Sequence, residues 1–376
     1  MKIVVVVPGG VRMGLVRRRA RRARGLLAAA ATATLLATVL LTGLGVYAGQ
    51  VLDAATRAAV AAAPAEERTI LVSGSGSDTE ELDAAVRDAV GDGLHGLPTG
   101  ITRASRAAGW SLPAGLGDAR PDADGVLYAS VMRLDDLPDH AHLVSGEWPA
   151  ATGPAAPGPA ATGPPTVLAE PVARLLGLKA GDQLTLTDRG ARRPLVVRVS
   201  GVWQPDDPAD PYWRLVPELT TGALPGTATY GPLVVHRDAF ARHFAALASP
   251  DWLLTPRLSE ISADELPALR AASDALIARL DRDKRLDART DLGELTTRLA
   301  RSTVVARSAL LIPALLLVVI AGYALLLVAG LITDQRRDEN ALLVARGARR
   351  RQLAAMAARE ALLVVGPAAL LGAPLA

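Results

Sequence analysis

The sequence predicts a membrane protein whose α-helical transmembrane spans carry a large α+β domain. Two uncharged stretches, Gly25–Leu52 and Ser308–Thr333, each exceed the roughly 20 residues that an α-helix needs to cross a bilayer. Basic residues cluster beside both. The long segment between them alternates strand-like and helix-like patterns too polar for a bilayer. We place the first span at residues 25–49, an outer α+β domain at 50–264, a helical stalk at 265–307 and the second span at 308–333. A third apolar run begins at Ala361, so 361–376 reads as the start of a truncated third span, and the chain as a portion of a longer protein.

Charge gives the orientation. The tail of residues 1–24 carries Lys2, Arg12, Arg17, Arg18, Arg19, Arg21, Arg22 and Arg24 and no carboxylate. The segment 334–360 holds Arg336, Arg337, Arg346, Arg349, Arg350, Arg351 and Arg359 against Asp334, Asp338, Glu339 and Glu360. In residues 53–307 carboxylates outnumber cations. Short basic flanks stay in the cytoplasm, whereas long domains translocate largely regardless of charge. Both flanks therefore put the N-terminus inside, 53–307 outside and 334–360 inside, in a bacterial cytoplasmic membrane. The formal charge of +3 belongs to the cytoplasmic rims, and no nucleic-acid partner is expected.

A cleaved signal peptide is the rival reading of the first span. Its apolar core, Leu26–Tyr47, is longer than the 7–15 residues of a signal core, and no small-x-small cleavage site follows, which favours a retained helix. The opening MKIVVVVPGG fits neither reading; it is either a tail or a stretch ahead of a start at Met13. Aromatics are only 3% of the chain, and the Ala, Arg, Gly and Pro content has the look of a high-GC bacterial genome. Cysteine is absent, which excludes disulfides and every Cys-based metal or redox site.

Within the outer domain, Leu52–Ala63 reads as a helical segment ended by Pro64, and Thr69–Val72 as a strand. Thr79–Ala89 reads as a helix opened by an Asp78 N-cap with Glu81 three residues on. Strands are expected near Thr99–Arg103 and over Val126–Met132. The Pro/Gly-rich stretch 149–165 can supply neither ladder donors nor apolar area and reads as a surface loop. Thr166–Ala169 is a strand, and Glu170–Leu176 a helix ended by Gly177. Gly181-Asp182 turns the chain into the strand Gln183–Thr187. In Leu195–Val202 and the adjoining Trp203, Val197, Val199 and Trp203 alternate with Arg198, Ser200 and Val202, as in a half-buried strand.

Leu266, Leu269, Ser273, Leu276 and Leu280 are spaced 3-4-3-4, and Leu292, Leu295 and Leu299 continue after a break at Asp283–Thr290. Such spacing buries a narrow stripe against a partner helix. We expect Leu266, Leu269, Leu276 and Leu280 to form the packing face of the stalk, against Leu52–Ala63; an ordinary amphipathic helix of the outer domain is the alternative.

No catalytic pattern is visible, so no enzyme activity and no cofactor are expected. The lysines are Lys2, Lys179 and Lys284, and none completes a phosphate-binding G-x-x-x-x-G-K-[ST]. Of His95, His140, His142, His236 and His243, only His140 and His142 share a strand face, and no third ligand is near in sequence, so a surface pair is expected. Asp206, Asp207 and Asp210 in the loop Pro205–Pro211 lack calcium-loop spacing and read as solvated. Ser73-Gly-Ser75-Gly lacks the context of a nucleophile elbow.

Two regions resemble the FtsX-like (MacB-type) family of ABC-transporter permeases. The first is DQRRDENALLVARGARRRQLAAMAAREALLVVGPAALLG, Asp334–Gly372, where Glu339, Arg346, Gly347, Ala348, Arg349, Arg350, Gln352, Leu353, Glu360, Ala361, Gly366 and Gly372 occupy the family positions. It departs at Asn340-Ala341, where an Ile/Val-Gly pair is commoner. The second is LVSGEWP (Leu143–Pro149) with VLAEPVARLLGLKAGDQLTL and RPLVVRVSGVW, similar to the periplasmic core domain of MacB-like members. On the residues alone, Gly347 breaks an amphipathic helix, and the arginines after it serve at least to fix topology and bind anionic lipid headgroups. The resemblance implies more: a coupling segment at 334–360, with Glu339, Arg346, Gly347, Arg349, Arg350 and Arg351 docking on a cytosolic ABC-type ATPase subunit. It also implies membrane lipid, a second permease copy and an extracytoplasmic protein as partners. The implied function is a permease subunit that converts ATP hydrolysis on another chain into movement of the outer domain, with lipid, lipoprotein or peptide as cargo. Both full spans lack ionisable residues, in keeping with mechanical work rather than an ion path. A two-span sensor is the alternative, but it needs a cytoplasmic output domain, and only the short segment 334–360 precedes the next apolar run.

Overall fold

The structure is a computed structural model that describes residues 24–335 and 337, apart from 77–78, 92–93, 95 and 151–162. Two compact units result, one from Thr56–Ala300 and one from the described parts of Met1–Ala55 and Arg301–Ala376.

The second of these units holds the N-terminal part of one helix and the C-terminal part of another. Helix α1, Arg24–Ala62, joins the expected first span and the segment Leu52–Ala63 into one element, and helix α7, Leu292–Gln335, contains the second apolar stretch. Both are long and apolar enough to cross a membrane. Most exposed large apolar side chains lie on them, Leu36 and Tyr47 on α1 and Ile312 and Leu326 on α7 among them, a surface suited to lipid rather than water. In α1, the hydroxyls of Thr32, Thr38 and Thr42 each donate to the carbonyl four residues back, at 2.8–2.9 Å, so none needs water. Pro313 lies inside α7 and leaves the Ala309 carbonyl without its helical donor.

The Thr56–Ala300 unit is a mixed sheet with helices. Its strands are β1 (Ile70–Gly74), β2 (Thr99–Leu112), β3 (Leu127–Leu134), β4 (Ala141–Gly146), β5 (Pro165–Ala169), β6 (Gln183–Asp188), β7 (Pro194–Pro205), β8 (Thr229–Val235), β9 (Ala248–Pro256) and β10 (Leu286–Arg289). Their order is β10-β1-β9-β2-β3-β8-β5-β7-β4, and β6 pairs with both β2 and β7. The double pairing of β6 closes β2, β3, β8, β5, β7 and β6 into a ring, leaving β9, β1 and β10 as an arm. Strand β2 serves both parts. It pairs with β9 as far as Ala107 and with β6 from Trp110, across a register break that contains Gly109 at φ 83°. Only glycine takes that conformation without strain, and a bulge there lets one strand turn from one partner to the next.

Two cores follow this division. Ring strands contribute Val131, Met132, Leu168, Leu186, Val197 and Trp203 to the first. Helix α4, Glu170–Leu176, packs Val172 and Leu176 on it and ends at Gly177 in the left-handed conformation, where the sequence places the cap. The second core lies on the arm. It gathers Ile70, Val72, Trp252 and Leu254 from the strands, Leu82 and Val86 from α3 (Thr79–Gly91), and four leucines from α6 (Leu266–Leu280). Val60 of α1, Ala63 just after it, and Leu292, Leu295 and Leu299 of α7 complete it.

The leucine stripe expected over 265–307 is interrupted at Asp283–Thr290, as its spacing indicates, and a strand fills the gap. Helix α6 stops at Leu280, β10 pairs antiparallel with β1 at the sheet edge, and α7 starts at Leu292. The break has a local cause. The Asp283 carboxylate accepts from the backbone N–H and Nε of Arg285, both at 3.0 Å, which fixes a turn that a helix cannot pass through. Of the expected Pro/Gly loop, 151–162 lie outside the described residues, as does the Asp78 cap, and Pro165 already belongs to β5.

Candidate functional site

Polar bonds of Thr56–Ala300 converge where α1 gives way to β1 and where α7 begins. Pro64 ends α1, and a short helix α2, Ala65–Arg68, leads to Thr69, which is fully buried. The Thr69 carbonyl accepts from Arg214 Nη1 at 3.0 Å and from Thr290 Oγ1 at 2.7 Å. Its hydroxyl accepts from the same Arg214 nitrogen at 2.7 Å and donates to the Ala65 carbonyl at 2.8 Å. Next to it the Asp291 N–H donates to the Glu66 carbonyl at 3.1 Å, and the Asp291 carbonyl accepts from Leu295 in the first turn of α7. Arg298, one turn further, makes a bidentate bond to Glu67, Nη1–Oε1 3.1 Å and Nη2–Oε2 2.5 Å.

The bonds of Thr290 and Arg298 join chain segments more than 200 residues apart. A net contribution of about 1 kcal/mol is typical for each buried hydrogen bond. The Arg298 side chain is 57% exposed, so its pair with Glu67 adds less than the geometry implies. Hydrogen bonding from Arg298 nevertheless holds the Glu67 carboxyl below the usual carboxylate range, against the opposing effect of burial. The apolar contacts of the second core carry most of the stability here.

A second polar cluster ties the arm to the ring. Arg106 on β2 bonds Glu218, which is fully buried, and Ser130 on β3; Ser130 also donates to Glu218 at 2.7 Å. Asp251 on β9 faces the same cluster from its register partner Ser73 on β1, and burial pushes its carboxyl up.

The structure also joins two motifs that the sequence presents as separate. His140 Nδ1 pairs with Asp210 at 2.8 Å and stacks on Tyr212, and His142 Nδ1 pairs with Asp206 at 2.6 Å. Among the described residues no group of three or more His, Cys, Asp and Glu could hold a metal ion.

Leu266, Leu269, Leu276 and Leu280 all lie on the buried face of α6. The helix they meet is α3, to which Arg279 is also tied by a 2.8 Å bond to Asp88. Glu339, Arg346, Gly347, Arg349, Arg350 and Arg351 lie outside the described residues. Sequence reading did not find Glu67, Thr69, Arg214, Thr290 or Arg298, because nothing local marks a pairing over such separations.

The described residues thus form a mixed α+β domain and two helices that are long and apolar enough to cross a membrane. Residues 311–376 match the family model described as FtsX-like permease C-terminal, consistent with an FtsX-like ABC permease family. No curated protein matches the chain.

Proposed function

We propose that this chain is the transmembrane subunit of an ABC-type system, that it hydrolyses no nucleotide itself, and that a separate cytosolic ATPase drives it. The observation that carries the reading is the family match over 311–376, which starts inside α7 and runs across 334–360. In this reading the N-terminus and 334–360 are cytoplasmic, residues 53–307 are outside, and ATP-driven motion enters through Glu339, Arg346, Gly347, Arg349, Arg350 and Arg351. The helix α7 supports such a path, because it continues without a break from Leu292 to Gln335. At its start it is locked to Glu66, Glu67 and Thr69, just ahead of β1, through Thr290, Asp291 and Arg298. A pull on α7 therefore reaches the arm of the sheet directly. Lipid, lipoprotein or peptide would be the cargo moved or the partner worked upon.

Topology is the first test. Ala191 lies in the exposed hairpin between β6 and β7. A cysteine there should react with a membrane-impermeant thiol reagent in cells whose outer barriers are permeable, and one at Ala348 should not. Reversed labelling would overturn the reading.

A further inference from the structure

Beside the junction, Ala61–Glu66 and Arg68 face Pro208–Asp210, Trp213, Arg214 and Pro217 across an open cleft of about 710 Å³. Two guanidiniums line it, those of Arg68 and Arg214. Arg68 is half-buried, and its Nε is buried with no hydrogen-bond partner. Arg214 commits Nη1 to Thr69. Among the described residues neither arginine has a carboxylate at ion-pair distance. Of the two carboxylates on the lining, Asp210 is already engaged by His140 Nδ1 and the Tyr212 N–H, and Glu66 is exposed. Burial holds the pKa of Arg214 below the ordinary arginine value, with Glu66 and Asp291 acting in the opposite direction.

A partly desolvated guanidinium without an acceptor is costly, and an oxyanion that takes its fork of donors removes the cost. Two forks would take up every lone pair of a carboxylate's two oxygens, whereas a phosphate presents three or more oxygens in a tetrahedral arrangement. The rest of the wall is apolar, with Trp213, Pro208 and Pro217 opposite Ala61, Ala62 and Ala63. We propose that this cleft binds a phosphate-bearing ligand, with Arg68 and Arg214 on the phosphate oxygens and Trp213 against the group attached to it. This inference is independent of the ATPase-coupling reading and stands or falls separately.

Isothermal titration calorimetry on the full chain in nonionic detergent tests it, with inorganic phosphate, dihexanoylphosphatidylglycerol and, as the phosphate-free control, dihexanoylglycerol. The expected result is saturable binding of a phosphate-bearing probe, at least tenfold weaker in Arg68→Gln and Arg214→Gln, and none of the control. Tighter binding of the phosphatidylglycerol identifies a membrane amphiphile as the ligand; equal binding of inorganic phosphate identifies the free anion. Arg214→Gln also loses bonds to Thr69, so Arg68→Gln, whose Nε makes no bond in the fold, is the decisive variant, with an unchanged melting curve as the check on folding. Failure of both phosphate probes to saturate, equal binding of the control, or an unaltered affinity in Arg68→Gln would overturn the proposal.

Discussion

Replacing Leu276 by alanine removes three carbon atoms from a side chain that is 1% exposed at the centre of the second core. At about 0.8 kcal/mol per buried methylene, the lost transfer free energy is roughly 2.5 kcal/mol. The surroundings cannot collapse fully around the gap, because α6 is fixed on both sides. Arg279 ties it to Asp88 of α3, and Leu269 and Leu280 anchor the flanking turns. A cavity contribution therefore raises the total to about 3–4 kcal/mol. For a cooperative unit of this size each kcal/mol shifts the midpoint by about 2–4 °C, so a loss on the order of 10 °C is expected. The assay is thermal unfolding of the full chain in detergent, followed by tryptophan emission, to which the buried Trp252 of the same core contributes. Asp274→Ala is the control, since its side chain on the same helix is 61% exposed. If Leu276→Ala melts within 2 °C of wild type, the leucine stripe does not face the core and the placement of α6 is refuted.

Three further predictions follow from particular groups. Ser273 is fully buried on α6 with an Oγ that has no partner, so Ser273→Ala, which also gains helix propensity, should raise stability by about 1 kcal/mol in the same assay. The Glu67 carboxyl is held below its ordinary 4.5, so its contribution is present above that pH and is lost as pH falls through the folded-state value; Glu67→Gln should remove this part of the acid sensitivity, and an unchanged acid profile would refute the role of Arg298. Asp251 has the opposite sign, because burial raises its carboxyl above 3.8 and stability falls as pH rises through the folded-state value. Asp251→Asn should therefore be more stable than wild type at pH 7, with the gap narrowing toward pH 4.

What the sequence made legible was local. The apolar helices, the helix Glu170–Leu176 with its Gly177 cap, and the strands β5, β6 and β7 each depend on residues within a few positions of one another. Strand β9 was not legible: Pro250 and Pro256 mark turns in sequence, yet β9 pairs with β2 from Thr99 to Ala107 and with β1. Strand β10 has only four residues, two of them charged, so its alternation carries little signal. The ring closes through Trp110–Asp188 and Ser111–Thr187, a pairing set by tertiary packing rather than by either segment alone. The α6 leucines show the same limit in another form. Their spacing identifies a buried face but not its partner, and α3 packs on it where a stalk against Leu52–Ala63 was expected. At the junction, Glu67 and Arg298 are ordinary surface-type residues until the fold brings them together.

The central claim is that residues 334–360 transmit the work of a cytosolic ATPase. The most direct measurement is the nucleotide hydrolysis that purifies with the chain from native membranes, compared with Gly347→Val and with the Arg349→Glu, Arg350→Glu double variant. Gly347→Val disfavours any left-handed backbone that the proposed coupling needs at this position, and the double variant places repulsive charge on the proposed interface. Labelling at Ala191 and Ala348 must first show that each variant is inserted correctly, because loss of arginine can also invert a span. Our account predicts that ATPase activity accompanies the wild-type chain and falls at least tenfold in both correctly inserted variants. Full activity in the variants, or none with the wild-type chain, would contradict it.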